Sequence, residues 1–322
     1  MTRMDRRLFL QTAAAATVGL VPASIGGAAH QAGTDQSSHG GGRGSAQAAD
    51  RALVGAPGTR LFSGCCAMSY SKYLRNGQMT LEDFIRKAVD LRLHGVDVTV
   101  YFLKSTEPAY LTSLRHLAFK NGIAFSGAAC GANMVEADTT KRAQVLEDIK
   151  KWIEVTDRLG ASHLRVFGGK LPAGATTDQG IAWCAEVMKA AADHAGARGI
   201  TLGLEEHVGI TQQSETILEI IRRVDSPHAG INLDITHFIP KPTLDAYAQI
   251  EACVPHATHA HIRFRFDDWT PIDLDRVWQI FARGGYKGYM SAEYETEKED
   301  PMTGVPRLTA EIRRLCAKYS TV

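Results

Sequence analysis

The 322-residue chain has no CxxC motif, no excess of charge of either sign and no apolar run long enough to span a bilayer comfortably. Its six cysteines, Cys65, Cys66, Cys130, Cys184, Cys253 and Cys316, are scattered. That spacing argues against a zinc ribbon or a dense disulfide framework and makes them buried small hydrophobes. The adjacent Cys65–Cys66 pair falls at a strand end, where it borders a prospective pocket. The net charge is +1; setting aside Arg3, Arg6, Arg7 and Asp5 of residues 1–28 leaves 33 basic against 34 acidic residues, or −1. A near-neutral chain has no electrostatic footprint for nucleic acid or an anionic membrane. A GxGxxG loop is also missing. The first strand runs into Ser63-Gly-Cys-Cys-Ala-Met68, which argues against a doubly wound dinucleotide fold.

At the N-terminus, Asp5-Arg6-Arg7-Leu8-Phe9-Leu10 precedes an alanine-rich stretch from Thr12 to Val21 and then Gly26-Gly27-Ala28. A charged start, a short apolar centre and a small-residue cleavage site describe a signal peptide over 1–28. The consecutive arginines resemble the twin-arginine export signal. The expected partner is therefore the twin-arginine translocation machinery, and the expected location is periplasmic or extracellular. No lipobox cysteine follows, so no stable membrane anchor is expected. Residues 29–58, rich in Gly, Ser, Ala and Gln, read as a flexible linker.

From residue 59 to 322 short apolar runs alternate with longer amphipathic stretches. The strand-like runs lie near 61–68, 96–102, 123–129, 162–167, 200–206, 229–234, 258–264 and 288–294. Helical periodicity marks Leu81–Leu93, Arg142–Leu159, Gln179–Arg198, Glu215–Val224, Leu274–Arg283 and Leu308–Lys318. Gly95, Gly122, Gly160, Gly199 and Gly285 stand between a helical pattern and the next strand, as helix-ending glycines do. The runs are apolar on both parities, as in Ile200-Thr-Leu-Gly-Leu204, which suits parallel strands covered on both faces. Eight such units predict an α/β fold, a single (β/α)8 TIM barrel.

Four strand ends carry metal-ligand chemistry. They read Leu204-Glu205-Glu206-His207, Leu233-Asp234-Ile-Thr-His237, His259-Ala-His261-Ile-Arg263 and Ala292-Glu293. The gaps from Glu205 to Asp234, to His261 and to Glu293 are 29, 27 and 32 residues, each close to one βα repeat. Equivalent positions on adjacent strands lie side by side, only about 4.8 Å apart. The spacing thus predicts one metal centre of Glu205, Asp234, His261 and Glu293 at the C-terminal mouth, where barrel chemistry occurs. Unpaired carboxylates crowded there would repel, and a divalent cation would relieve them. Hard oxygen donors with one nitrogen favour Mn²⁺ or Mg²⁺, with Co²⁺, Zn²⁺ or Fe²⁺ compatible. The alternative is that Arg263 and Arg265 pair with these acids. His207 and His237 are expected to bind substrate, as is Arg263 unless it balances the acids. Arg165, inside strand four, is a further candidate for the same pocket, whereas Glu206, of opposite parity to Glu205, faces the helices.

The strand-end motifs resemble the xylose isomerase-like TIM-barrel superfamily, specifically its sugar phosphate isomerase/epimerase branch, over about residues 60–318. The resemblance implies one divalent ion on Glu205, Asp234, His261 and Glu293, and allows a homo-oligomer. The ketose 3-epimerases of that branch place a glutamate and an arginine where this chain has Thr211 and Asp267, so a free ketohexose does not follow. The resemblance implies a metal-dependent isomerase or epimerase with a small-molecule carbohydrate substrate, an unphosphorylated sugar or keto-sugar. Glu205 and Glu293 are the candidate acid and base for proton transfer beside a carbonyl. A lyase or dehydratase of a keto-sugar or glycoside on the same metal, an exported phosphodiesterase and a non-catalytic sugar-binding barrel are the competing readings.

Overall fold

The alternating apolar runs form eight parallel strands among the described residues. They are β1 Arg60–Cys66, β2 Gly95–Thr99, β3 Ala124–Ala129, β4 His163–Phe167, β5 Thr201–Glu205, β6 Ala229–Asp234, β7 Ala257–Ile262 and β8 Lys287–Ala292. They pair in chain order and β8 closes on β1, giving the expected (β/α)8 barrel. The computed structural model describes residues 58–295 and 298–321; the expected leader and linker lie outside these, apart from Gly58. No described helix is long and apolar enough to cross a membrane.

The covering helices are α1 Leu81–Asp90, α2 Pro108–Lys120, α3 Thr139–Leu159, α4 Thr177–Gly196, α5 Ser214–Val224, α6 Ala246–Cys253, α7 Leu274–Arg283 and α8 Pro301–Tyr319. Side chains of Thr80, Asp138, Thr176, Asp245, Asp273 and Asp300 accept backbone N–H groups at six helix starts. Sequence periodicity did not single out α2 or α6. The first buries only Leu111, Leu114 and Ala118, and the second spans eight residues, so neither offers a long apolar stripe.

Gly122, Gly160, Gly199 and Gly285 adopt the left-handed conformation expected of them, with φ between 68 and 78°. Gly95 does not. It opens β2, and Arg92 takes the positive φ at that helix end. Gly95 is small for another reason: a Cβ there would lie 2.7 Å from the Tyr289 ring.

That ring belongs to an aromatic floor across the lower barrel. His163 stacks on His259 at 5.1 Å, His259 on Tyr289 at 6.2 Å, and Tyr289 meets Phe62 at 5.2 Å. Gly203 makes room for His163, whose Nε2 would sit 2.3 Å from a Cβ there. Register slips in β3 and β7 leave Ser126 and Thr258 unpaired in the ladders. Ser126 hydrogen-bonds His259 Nε2 at 3.3 Å, and Thr258 bonds His163 Nε2 at 3.1 Å.

Burial pushes His163 well below the usual imidazole range, and burial likewise takes His259 down to about 4. Both are neutral in the fold but take up protons in the unfolded chain below about pH 6.5. Their stabilisation is complete above that pH and is lost as pH falls through the folded values. His163→Gln removes one such term while keeping a partner for Thr258. Its unfolding free energy from urea titration should fall less steeply than that of the unsubstituted protein between pH 6.5 and 4, by up to about 1.4 kcal/mol per pH unit. Parallel acid limbs would contradict this reading.

Candidate metal centre

Strand alternation turns every second side chain inward. At the C-terminal half of the barrel those side chains are Glu205, Asp234, His261, Glu293, Arg165 and Arg263, all buried. Their register differs from the side-by-side placement expected from the spacing. Asp234 pairs with His261, but Glu205 pairs with Asn232 and His261 with Ser291. Closed barrels need tilted, staggered strands, so spatial neighbours are offset in register. The four ligand-type atoms nonetheless lie within 4.8 Å of one another.

Each carboxylate has defined partners. Glu205 Oε2 forms an ion pair with Arg165 Nη1 at 2.8 Å, while Oε1 accepts from Asn232 Nδ2 at 3.3 Å and faces His261 Nδ1 at 3.1 Å. Asp234 Oδ1 accepts from the Thr236 backbone N–H at 3.0 Å and its hydroxyl at 2.7 Å. Its Oδ2 faces Arg263 Nη2 at 3.0 Å and His237 Nε2 at 3.3 Å. Glu293 Oε2 accepts from Arg263 Nη2 at 2.7 Å and lies 3.4 Å from His261 Nδ1. Burial opposes ionisation of Asp234 and Glu293, but Arg263 with His237 for the first and His261 with Arg263 for the second hold both below the ordinary carboxylate range. Burial likewise opposes the charged form of His261, yet Glu293, Asp97 and Glu205 raise it well above the usual imidazole range.

These pairs correct one step of the sequence argument. Repulsion among the carboxylates does not by itself demand a metal, because two buried guanidinium groups and the imidazoles already offset them. Arg263 takes the balancing role that its parity left open. Arg265 does not pair with the four ligands, and instead donates to the Trp269 carbonyl. The support for an ion is geometric: three carboxylates and one imidazole converge at a distance that one hard cation can span. The donor set therefore fits a single divalent ion.

His237 and His207 border the same centre. His237 Nδ1 lies 2.7 Å from Asp267 Oδ2. Burial would lower the His237 pKa, but Asp234 and Asp267 raise it to about 11, so the ring is cationic. His207 is held below its usual value chiefly by burial, and its ring packs 4.8 Å from His237 and 4.5 Å from Phe167. Both departures from the ketose 3-epimerase pattern have local roles. Thr211 Oγ1 donates to the His207 carbonyl at 3.1 Å, and Asp267 anchors His237. A cavity of about 90 Å³ opens over the cluster, lined by Thr99, Tyr101, Phe167, His207 and Glu295 besides the charged groups.

Other residues fall elsewhere. Glu206 points away, fully buried, with no hydrogen-bond partner among the described residues, and burial pushes its pKa far up. Of the aromatic residues that follow strand ends, Tyr70 is wholly buried, whereas Trp269 is 46% exposed. All six cysteines are buried and free. Cys66 borders the centre, its Sγ 3.6 Å from Glu293 Oε1. The sequence reading missed Asp97 and Asn232. Asp97 is an acid set between Val96 and Val98, and that placement within an apolar strand was the available signal.

A family model described as xylose isomerase-like TIM barrel matches residues 85–317. The chain belongs to that family. No curated protein matches it in sequence. Among solved structures, D-psicose 3-epimerase from Clostridium cellulolyticum H10, solved with D-tagatose, aligns with a TM-score of 0.67 at 15% identity, covering 81% of this chain and 100% of the other. A D-psicose 3-epimerase solved in the presence of D-fructose gives 0.64 at 16% identity, over 80% and 97%. The 3-keto-D-glucoside 4-epimerase of E. coli gives 0.61 at 14% identity, over 80% and 99%. At such identities the likeness establishes the fold.

An ion at this centre would share Glu205 with Arg165, which gives a test. Without metal, Arg165→Met should cost roughly 3–5 kcal/mol, because it strands a buried carboxylate. Saturating Mn²⁺ should narrow that gap by compensating Glu205 in its place. Urea denaturation in chelator and in Mn²⁺ measures both; an equal gap in the two conditions would show that the ion does not engage Glu205.

Proposed function

We propose that the protein is a divalent-metal-dependent epimerase or isomerase of an unphosphorylated sugar or keto-sugar, acting by proton transfer beside a carbonyl. The observation that carries this reading is the convergence of Glu205, Asp234, His261 and Glu293 at the mouth of a barrel of this family. The solved neighbours that bear epimerase names support the substrate class. Mn²⁺ or Mg²⁺ suits the donor set best.

A bound ion would supply Lewis-acid polarisation of a carbonyl and its neighbouring hydroxyl. The chain's own carboxylates move the proton. One of Glu205 and Glu293 takes the proton from the carbon next to the carbonyl, and the other returns one. Return to the opposite face of that carbon inverts it; return to the adjacent carbon moves the carbonyl. Arg165 and Arg263 fix the orientation of the two glutamates through their ion pairs. The cationic His237 and neutral His207 line the approach as donor and acceptor for substrate hydroxyls. Asp267 replaces the arginine of the ketose 3-epimerases with the opposite charge, which favours a substrate other than a free ketohexose.

Purified protein should carry about one equivalent of divalent metal, consistent with one set of ligands. With a panel of keto-sugars in D₂O, Glu205→Gln and Glu293→Gln should each slow deuterium incorporation at least ~100-fold, the usual scale of acid–base catalysis. NMR of the recovered sugars reads both the exchange and the product. Full exchange activity in both variants would remove the glutamates from the mechanism.

The division into a leader over 1–28, a linker over 29–58 and a barrel over 59–322 belongs to the same proposal, with export through the twin-arginine pathway. Export of a folded chain agrees with a centre that must be loaded before translocation. Replacing Arg6 and Arg7 with lysine should retain the protein in the cytoplasm, as read by cell fractionation; undiminished export would argue against that route.

A further inference from the structure

One buried acid has no part in that proton transfer. Asp97 sits in β2, 2% exposed, where β3 slips register so that Asp97 faces Gly127 and Ser126 is left over. Neither of its oxygens accepts a well-aligned hydrogen bond among the described residues. Such an acid is costly to bury unless a cation or a polar hydrogen meets it. Asp97 Oδ1 lies 3.4 Å from His261 Nε2, and Oδ2 lies 3.9 Å from His259 Nε2. His259 already directs that nitrogen at Ser126. His261 is the nearer partner.

The two edges of the His261 ring have different neighbours. Nδ1 faces Glu205 at 3.1 Å and Glu293 at 3.4 Å, while Nε2 faces Asp97. An imidazole that ligates through one nitrogen carries its proton on the other, and a carboxylate against that N–H fixes both tautomer and ring rotation. We infer that Asp97 is the positioning residue for His261: it holds the Nε2–H and so presents Nδ1 to the centre shared with Glu205, Asp234 and Glu293. The inference rests on the metal-centre reading proposed above. The register shift against β3 falls at this acid, between Val96 and Asp97.

The test uses the whole chain stripped of metal, titrated with Zn²⁺ and Co²⁺, as the parent protein and as Asp97→Asn, Asp97→Ser and Ser126→Ala. Both Asp97 variants should bind Zn²⁺ about 10–100-fold more weakly, the usual effect of losing such a partner. They should also shift the Co²⁺ visible bands, whereas Ser126→Ala, at a similar depth in the barrel, should do neither. In the Zn²⁺-loaded parent, ¹H–¹⁵N spectra of labelled histidines should show the His261 proton on Nε2. A proton on Nδ1, or unchanged affinity in both Asp97 variants, overturns the inference. So does a second bound equivalent that disappears with Asp97, because Cys66, Asp97 and His261 also converge and would then be ligands themselves. A parent protein that binds no ion sinks the metal-centre reading along with it. An unchanged Asp97 variant beside a metal-binding parent sinks only the positioning role. If an Asp97 variant fails to fold, the tautomer in the parent protein still decides.

Discussion

A carboxylate removed from water costs several kcal/mol unless a cation meets it, and the inside of this barrel satisfies that constraint group by group. Arg165 meets Glu205, Arg263 meets both Asp234 and Glu293, and His237 meets Asp234 and Asp267. These contacts set where the acids point, and everything proposed for the site depends on those directions. The floor of His163, His259, Tyr289 and Phe62 supports them from below. It fills the barrel with rings where aliphatic side chains would be usual, and the absent side chains of Gly95 and Gly203 make the necessary room.

The same pairing constrains how an ion would be held. The oxygens that Arg263 engages on Asp234 and Glu293 belong to two of the four converging groups. An ion entering there shares its ligands with a guanidinium that cannot lose its proton. In the proposed centre, metal affinity would therefore be set partly by a fixed competing cation. Glu295 Oε2, 3.5 Å from Arg263 Nη2, gives that guanidinium a third acid on the solvent side.

Much of this was legible in the sequence because strand ends repeat. Glu205, Asp234, His261 and Glu293 stand one βα unit apart at the ends of apolar runs, and that regularity survives without coordinates. Their register was not legible. Strand spacing along the chain says nothing about the stagger that closure imposes, so the expected side-by-side placement held only for Asp234 and His261. Asp97 was missed because one acid within an apolar strand has no period to mark it, and its meaning lies in a ring reached from the far side of the barrel. The pairing of Arg263 with two ligands was likewise undetermined, because parity aims a side chain inward without saying what it meets. Gly95 was misassigned for a related reason. A glycine before a strand reads as a helix stop, while the actual demand came from Tyr289 across the barrel.

The loops divide the molecule's work along the barrel axis. Of the described large hydrophobic residues that remain exposed, Tyr101, Leu171, Val208, Ile239 and Trp269 follow strand ends at the C-terminal face, whereas Val89, Phe119 and Met302 lie on helices. Trp269 holds a left-handed φ of 67°, a conformation that a bulky side chain adopts only at a cost. Exposed apolar side chains weigh against stability, so their concentration around one mouth implies a compensating use there; positive φ is not so confined, because Arg92 and Asp225 adopt it at helix ends on the opposite face. The opposite face carries the inexpensive helix-ending glycines Gly122, Gly160, Gly199 and Gly285. That asymmetry is independent of any assignment to the four ligands, and it points to the same end of the barrel as the proposed centre.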